Sequence, residues 1–102
     1  MKFVLAVLFA LGALVSGNAA ASEKLAQSSG CMTCHAVDRK LVGPGYKEIA
    51  TKYRNDKAAA ANLVKKVKAG GSGVWGSTPM PPNAHVKEAD IKAIVTWVLT
   101  LK

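Results

Sequence analysis

Apolar and polar positions follow three regimes along the chain. Phe3 to Val15 is a near-continuous apolar run (FVLAVLFALGALV) behind a single charge, Lys2. From about residue 22 to 69, apolar residues recur at helical spacing in short, interrupted groups. Ser22 can cap a first helix, with Glu23 in its positive first turn and Leu25 and Ala26 on its apolar side. Gly30 is placed to end that helix. Gly43-Pro44-Gly45 cannot be helical and predicts a rigid turn. Tyr46, Ile49, Ala50 and Tyr53 then recur at i, i+3, i+4 and i+7, one face of a second short helix. Asn55 or Asp56 can cap a third, in which Leu63, Val64 and Val67 repeat before Gly70-Gly71 stops it. Residues 70–83 (GGSGVWGSTPMPPN) have no period, and a structureless stretch of that length in a small domain is usually functional. The third regime is a helix over roughly 87–101, striped by Ile91, Ile94, Val95, Val98 and Leu101. Glu88 and Asp90 suit its start and Lys102 its end. Nothing alternates as a half-buried strand does, so the pattern predicts an all-α chain of about four short helices and one long loop.

The first regime reads as a targeting segment. Lys2, the apolar run, and then Ser16-Gly17-Asn18 and Ala19-Ala20-Ala21 give the charged, apolar, small-residue order of a secretory signal peptide. The apolar core is shorter than the roughly 20 residues a spanning helix needs. Residues 1–21 are therefore expected to be cleaved, leaving residues 22–102 as one domain exported to the periplasm, with no stable membrane insertion. Its length of about 80 residues buries only a limited core, and domains of that size often need a staple.

Charge narrows the partners. The chain carries 14 Lys and Arg against 6 Asp and Glu, a formal +8. Only Lys2 of these lies in the leader, so the exported part remains strongly basic. Such a surface suits nucleic acid, an anionic membrane or an acidic protein. Export argues against nucleic acid and leaves an anionic membrane surface, an acidic protein partner, or simple solubility.

The chemistry is carried by Cys31-Met32-Thr33-Cys34-His35. Two thiols three residues apart, with a histidine directly after, form the attachment signature of c-type haem. On a helical turn both sulfurs lie on one side and can reach the two vinyl groups of one porphyrin edge as thioethers. His35 follows, placed to turn its imidazole under the iron. Three other readings compete. A thioredoxin-like couple belongs in a βαβ context that is absent here. A zinc site would have to join Cys31, Cys34, His35 and the distant His85, whereas structural zinc usually uses two spaced pairs. A simple disulfide would suit an exported chain.

With His35 on one side, the iron has a sixth position to fill. Met1 lies in the leader and Met32 inside the attachment motif. Met80 sits in Thr78-Pro79-Met80-Pro81-Pro82-Asn83, where flanking prolines fix φ and stiffen the loop. His85 is the rival, and on residue type alone the two are evenly matched; the proline frame favours Met80. A thioether stabilises ferrous iron relative to imidazole and raises the potential. A filled sixth site also leaves no place for a substrate, which argues for electron transfer over an enzyme or a ligand sensor.

Cys31-Met-Thr-Cys-His35, Val42-Gly43-Pro44, Gly73-Val74-Trp75-Gly76, Pro79-Met80-Pro81-Pro82-Asn83 and Trp97-Val98-Leu99 together resemble the small bacterial monohaem cytochromes c of the c-551/c-552 family. The resemblance covers the whole of residues 22–102, in order. It implies the small cytochrome c fold wrapped around one covalently bound haem c, and a monomeric, non-enzymatic electron carrier. It implies His35 and Met80 as axial iron ligands. It further implies that the Pro44 carbonyl accepts a hydrogen bond from His35, that Trp75 bonds a haem propionate, and that Asn83 contacts the Met80 sulfur. Partners would be respiratory redox proteins such as a terminal oxidase or a nitrite reductase. Lys87 departs from the pattern: relatives often carry a Ser or Thr cap there, so the last helix should be weakly capped.

Overall fold

The computed structural model describes residues 16–102. The apolar run of the expected leader lies outside the described residues. Helix α1 spans Ser16–Ser28 and is followed by a single 3-10 turn at Cys31–Thr33. Helix α2 is Tyr46–Lys52, α3 is Ala59–Ala69 and α4 is Glu88–Thr100. Between α3 and α4 lies a short antiparallel hairpin of β1, Gly71–Gly73, and β2, Gly76–Met80.

Helix α4 is the hub, packing against α1, α2 and α3. Its residues repeat apolar at 91, 94, 95 and 98, and all four are buried, with Ile91 at 1% exposure. One side of that stripe meets Ala26 of α1, Tyr46 of α2 and α4's own Trp97. The other meets Val64 of α3, with Leu63 and Val67 packed around it. A small residue at 26, fully buried, lets α1 approach the bulky aromatic cluster closely. Lys87 occupies the N-cap of α4 with no side-chain cap bond, as its departure from Ser or Thr implies. Among the described residues, no helix is long and apolar enough to cross a membrane.

The terminators behave as glycine chemistry demands. Gly30 takes φ +85° between α1 and the haem-motif turn, and Gly70 takes φ +73° at the end of α3. Neither Asn55 nor Asp56 caps α3, whose N-cap is Ala58 with no side-chain bond; Asp56 Oδ1 instead accepts from the Ala58 amide at 2.9 Å, forming a turn just ahead of the helix.

Two further expectations change. Ser22 does not cap α1; it lies inside a helix that already runs from Ser16, because the alanines at 19–21 continue the helix upstream. The 70–83 segment is not structureless. Its glycines at 71, 73 and 76 all hold positive φ, which lets the chain reverse around Val74-Trp75 and pair Gly71 with Met80 and Gly73 with Gly76. Both strands are almost wholly exposed, so no apolar alternation marks them.

Candidate haem site

The 3-10 turn, the Gly43–Tyr46 segment, the inner faces of α3 and α4 and the hairpin enclose one cleft of about 290 Å³. Cys31, Cys34, His35, Pro44, Trp75 and Met80 all line it, against an apolar floor from Leu63, Val67, Ile94, Val95 and Val98. Residues separated by as many as 67 positions in sequence, Cys31 to Val98, thus line one cleft. Asn83 and His85 are not among the lining residues, and His85 is exposed.

His35 is held most tightly. It is 8% exposed. Its Nδ1 lies 2.7 Å from the Pro44 carbonyl oxygen. A carbonyl only accepts, so Nδ1 carries the proton and Nε2 keeps its lone pair. That bond fixes the tautomer and the direction of the ring. Gly43 lies directly against the ring: a Cβ there would come within 2.5 Å of Cε1 and 2.9 Å of Nδ1. The Gly43 amide is anchored in turn, donating to the Cys34 carbonyl at 2.7 Å. The residues named by sequence for their turn chemistry therefore also set the imidazole.

Both cysteines are free and half-buried. Burial pushes the Cys31 thiol above its ordinary value. Among the described residues, no three His, Cys, Asp or Glu side chains converge as metal ligands. The four-residue zinc alternative is therefore not assembled.

Met80 ends β2 at the mouth of the Pro-rich loop. Its position depends on α3. The Asn83 amide donates to the Val67 and Lys68 carbonyls at 3.2 and 3.1 Å, which are orphan acceptors at the end of α3. The Asn83 side-chain nitrogen donates to the Val67 and Pro81 carbonyls, each at 3.1 Å. These bonds tie the loop that carries Met80 to the end of α3. Gly70 completes the clip. A Cβ at 70 would lie 2.5 Å from the Met80 carbonyl oxygen and 2.7 Å from the Pro82 nitrogen, and the residue already sits at positive φ. Gly70→Ala is expected to displace the Met80 loop and to destabilise by at least about 1 kcal/mol from backbone strain alone. Thermal unfolding of the holoprotein measures this; an unchanged melting temperature would show that the loop yields freely.

Trp75 tips the hairpin at 39% exposure, beside Val74 at 49%, and Val42 at 55% flanks the same cleft. Lys52 Nζ stands 5.7 Å from the Trp75 ring centroid. Among the described residues, the one salt bridge joins neighbouring Arg39 and Asp38 at 3.8 Å, so the lysines around the opening keep their charge unpaired.

Sequence reasoning missed two residues that matter here. Tyr46 was assigned to a helix face, yet its ring stacks on His35 with centroids 5.1 Å apart and planes at 20°. Gly70 was read only as a helix stop. Tyr46 directly follows Gly43-Pro44-Gly45 and Gly70 opens the aperiodic 70–83 stretch, which is the signal that could have found them.

The donor set fits one group: two thiols, an imidazole with a free Nε2 and a thioether, all opening on an apolar cleft. The cytochrome c family model matches residues 19–102. The chain belongs to the cytochrome c family. Among curated relatives, it is 60% identical over 87 residues to cytochrome c-551 of Allochromatium vinosum, covering 85% of this chain and 93% of that one. It is 52% identical over 89 residues to cytochrome c-552 of Nitrosomonas europaea, covering 87% and 86%. The crystal structure of wild-type Nitrosomonas europaea cytochrome c552 superposes with a TM-score of 0.76 at 51% identity, covering 78% of this chain and 99% of that one. This is a small monohaem cytochrome of the c-551/c-552 type, an electron-transfer carrier with covalently attached haem c; Cys31, Cys34 and His35 have the spacing of the attachment motif.

Proposed function

We propose that this cytochrome shuttles single electrons between respiratory redox proteins in the periplasm, with His35 and Met80 as the axial ligands of the haem iron. The observation that carries the reading is the shared cleft: Met80 lines it together with His35, whereas the rival His85 is exposed and stands apart from it. Bound there, haem c supplies a one-electron ferric–ferrous couple whose potential is raised by a thioether ligand. The chain's own residues do the rest. Cys31 and Cys34 tether the group covalently. The Pro44 carbonyl holds His35 through Nδ1, leaving Nε2 as the donor atom. The prolines at 79, 81 and 82 and the clip of Gly70 and Asn83 on α3 present the Met80 thioether rigidly, so ligation need not change between oxidation states. Trp75, on the hairpin, supplies an indole N–H for a propionate.

The leader is proposed to direct export and to be removed after Ala21, leaving residues 22–102 as a monomeric carrier. Met1–Ala21 has the order of a signal peptide, and the family model begins near its end, at residue 19. The optical spectrum of the ferric protein tests the ligation. A thioether-to-iron charge-transfer band in the near infrared is expected; its absence, with rapid binding of added cyanide, would assign the open iron of an enzyme or sensor instead.

Partners are proposed to present acidic docking surfaces, a terminal oxidase or a nitrite reductase being candidates. The exposed Val42, Val74 and Trp75 around the opening, with Lys40 and Lys66 on the cleft and Lys52 beside Trp75, support this. Exposed charges are screened over a Debye length of about 8–10 Å at physiological salt. Association rates with an acidic partner should therefore fall as ionic strength rises. Rates that stay flat from low to high salt would reject electrostatic steering.

A further inference from the structure

We infer that Tyr46 is a positioning residue for His35, fixing the plane of the imidazole about the axis that its hydrogen bond to Pro44 leaves free. The inference rests on the proposed ligation by His35. A single hydrogen bond from Nδ1 to the Pro44 carbonyl sets one direction of the ring and permits rotation about that direction. Gly43 closes in on the ring atoms at its Cε1 and Nδ1 but offers no side chain to orient them. A flat surface is needed, and among the described residues Tyr46 supplies it: its ring lies nearly parallel to the imidazole, at 20° and 5.1 Å.

The Tyr46 ring is itself immobilised. It is 4% exposed and its neighbour Trp97 7%. Trp97 meets it edge-on, with centroids 5.6 Å apart and planes at 83°. The Tyr46 amide donates to the Ala36 carbonyl at 2.9 Å, tying the start of α2 to the residue after His35. Cys31 packs against the same buried cluster, which joins the Tyr46 ring to Ala26, Ile94, Trp97 and Val98. Tyr46 thus stacks on the proposed axial ligand and passes the rigidity of the α1–α2–α4 core to it. The turn that delivers the Pro44 carbonyl to His35 delivers Tyr46 two residues later, so one short segment sets the ring's direction and its plane.

Proton NMR of the ferric holoprotein tests this, because the spread and order of the four haem methyl shifts depend on the orientation of the axial imidazole plane. Tyr46→Leu is expected to shift those resonances and change their spread, and Tyr46→Phe, which keeps the ring, to restore the wild-type pattern. Ile91→Val, which loosens the core on the far side of α4, should lower the melting temperature and leave the pattern in place. A Tyr46→Leu protein that melts earlier with an unaltered methyl pattern would reduce Tyr46 to ordinary packing and overturn the inference. Should Tyr46→Leu fail to accumulate, nuclear Overhauser effects between His35 and the Tyr46 ring in the wild-type protein decide, and their absence overturns it. Failure of the ligation itself reads differently: the hyperfine-shifted His35 ring protons would be missing from the wild-type spectrum.

Discussion

Met80→Ala is expected to abolish the near-infrared band of the ferric protein, to lower the reduction potential and to let cyanide or carbon monoxide bind. The sign follows from ligand chemistry. A thioether favours ferrous iron, so its loss stabilises the ferric form and moves the potential down. The size should be a substantial part of the roughly 0.8 V that axial ligands span. The fold should survive, because Met80 is only half-buried at the end of an exposed hairpin and contributes to neither core cluster. A redox titration beside the spectrum separates the outcomes. If potential and spectrum are unchanged, Met80 is not the ligand and His85 becomes the candidate, although it would have to enter the cleft from its exposed position five residues on.

Gly43→Ala is expected to harm the opposite wall. The new Cβ would sit 2.5 Å from His35 Cε1 and 3.1 Å from Nε2. Ordinary carbon contacts lie at about 3.5–4.0 Å, so ring or turn must give way by about 1 Å. Neither gives easily: the ring is bonded to Pro44 and stacked on Tyr46, and the turn is bonded to Cys34. Overpacking of a rigid site costs about 1–3 kcal/mol. In a domain of this size that corresponds to a fall in melting temperature of about 4–8 °C per kcal/mol. Because the Nδ1–Pro44 bond would be stretched, the potential should move as well. Thermal unfolding and a redox titration check both, and an unchanged pair would show the His35 pocket to be soft.

These expectations draw on information of different origin. Helices α2, α3 and α4 were legible because their apolar residues repeat at 3.6-residue spacing and face a shared core. Gly30, Gly43-Pro44-Gly45 and Gly70-Gly71 were legible as breaks because glycine and proline constrain the backbone locally. The β1–β2 hairpin was not legible. Its strands are exposed and glycine-rich, so no buried face imprints an alternation, and its pairing depends on positive φ at three glycines. The helical start upstream of Ser22 was missed because a capping residue and a mid-helix serine look alike in sequence.

The haem site divides along the same line. Cys31, Cys34 and His35 are local to one turn, and their spacing alone announces what they bind. The contest between Met80 and His85 could not be decided from residue type, since both side chains suit iron and only five positions separate them. In the fold Met80 lines the cleft, with its loop clipped to the end of α3 by Gly70 and Asn83, while His85 is exposed, and this supports the proposed ligation by Met80. The same is true of Tyr46, whose place in a helix is a matter of periodicity but whose stack on His35 requires α2 and α4 to be packed together. The sequence by itself determined the chemistry of attachment, the helical class and the breaks, because those depend on neighbours in the chain. Only the packed fold decided what faces His35, which loop residue reaches the cleft and how the imidazole is held, because those depend on contacts between segments distant in sequence.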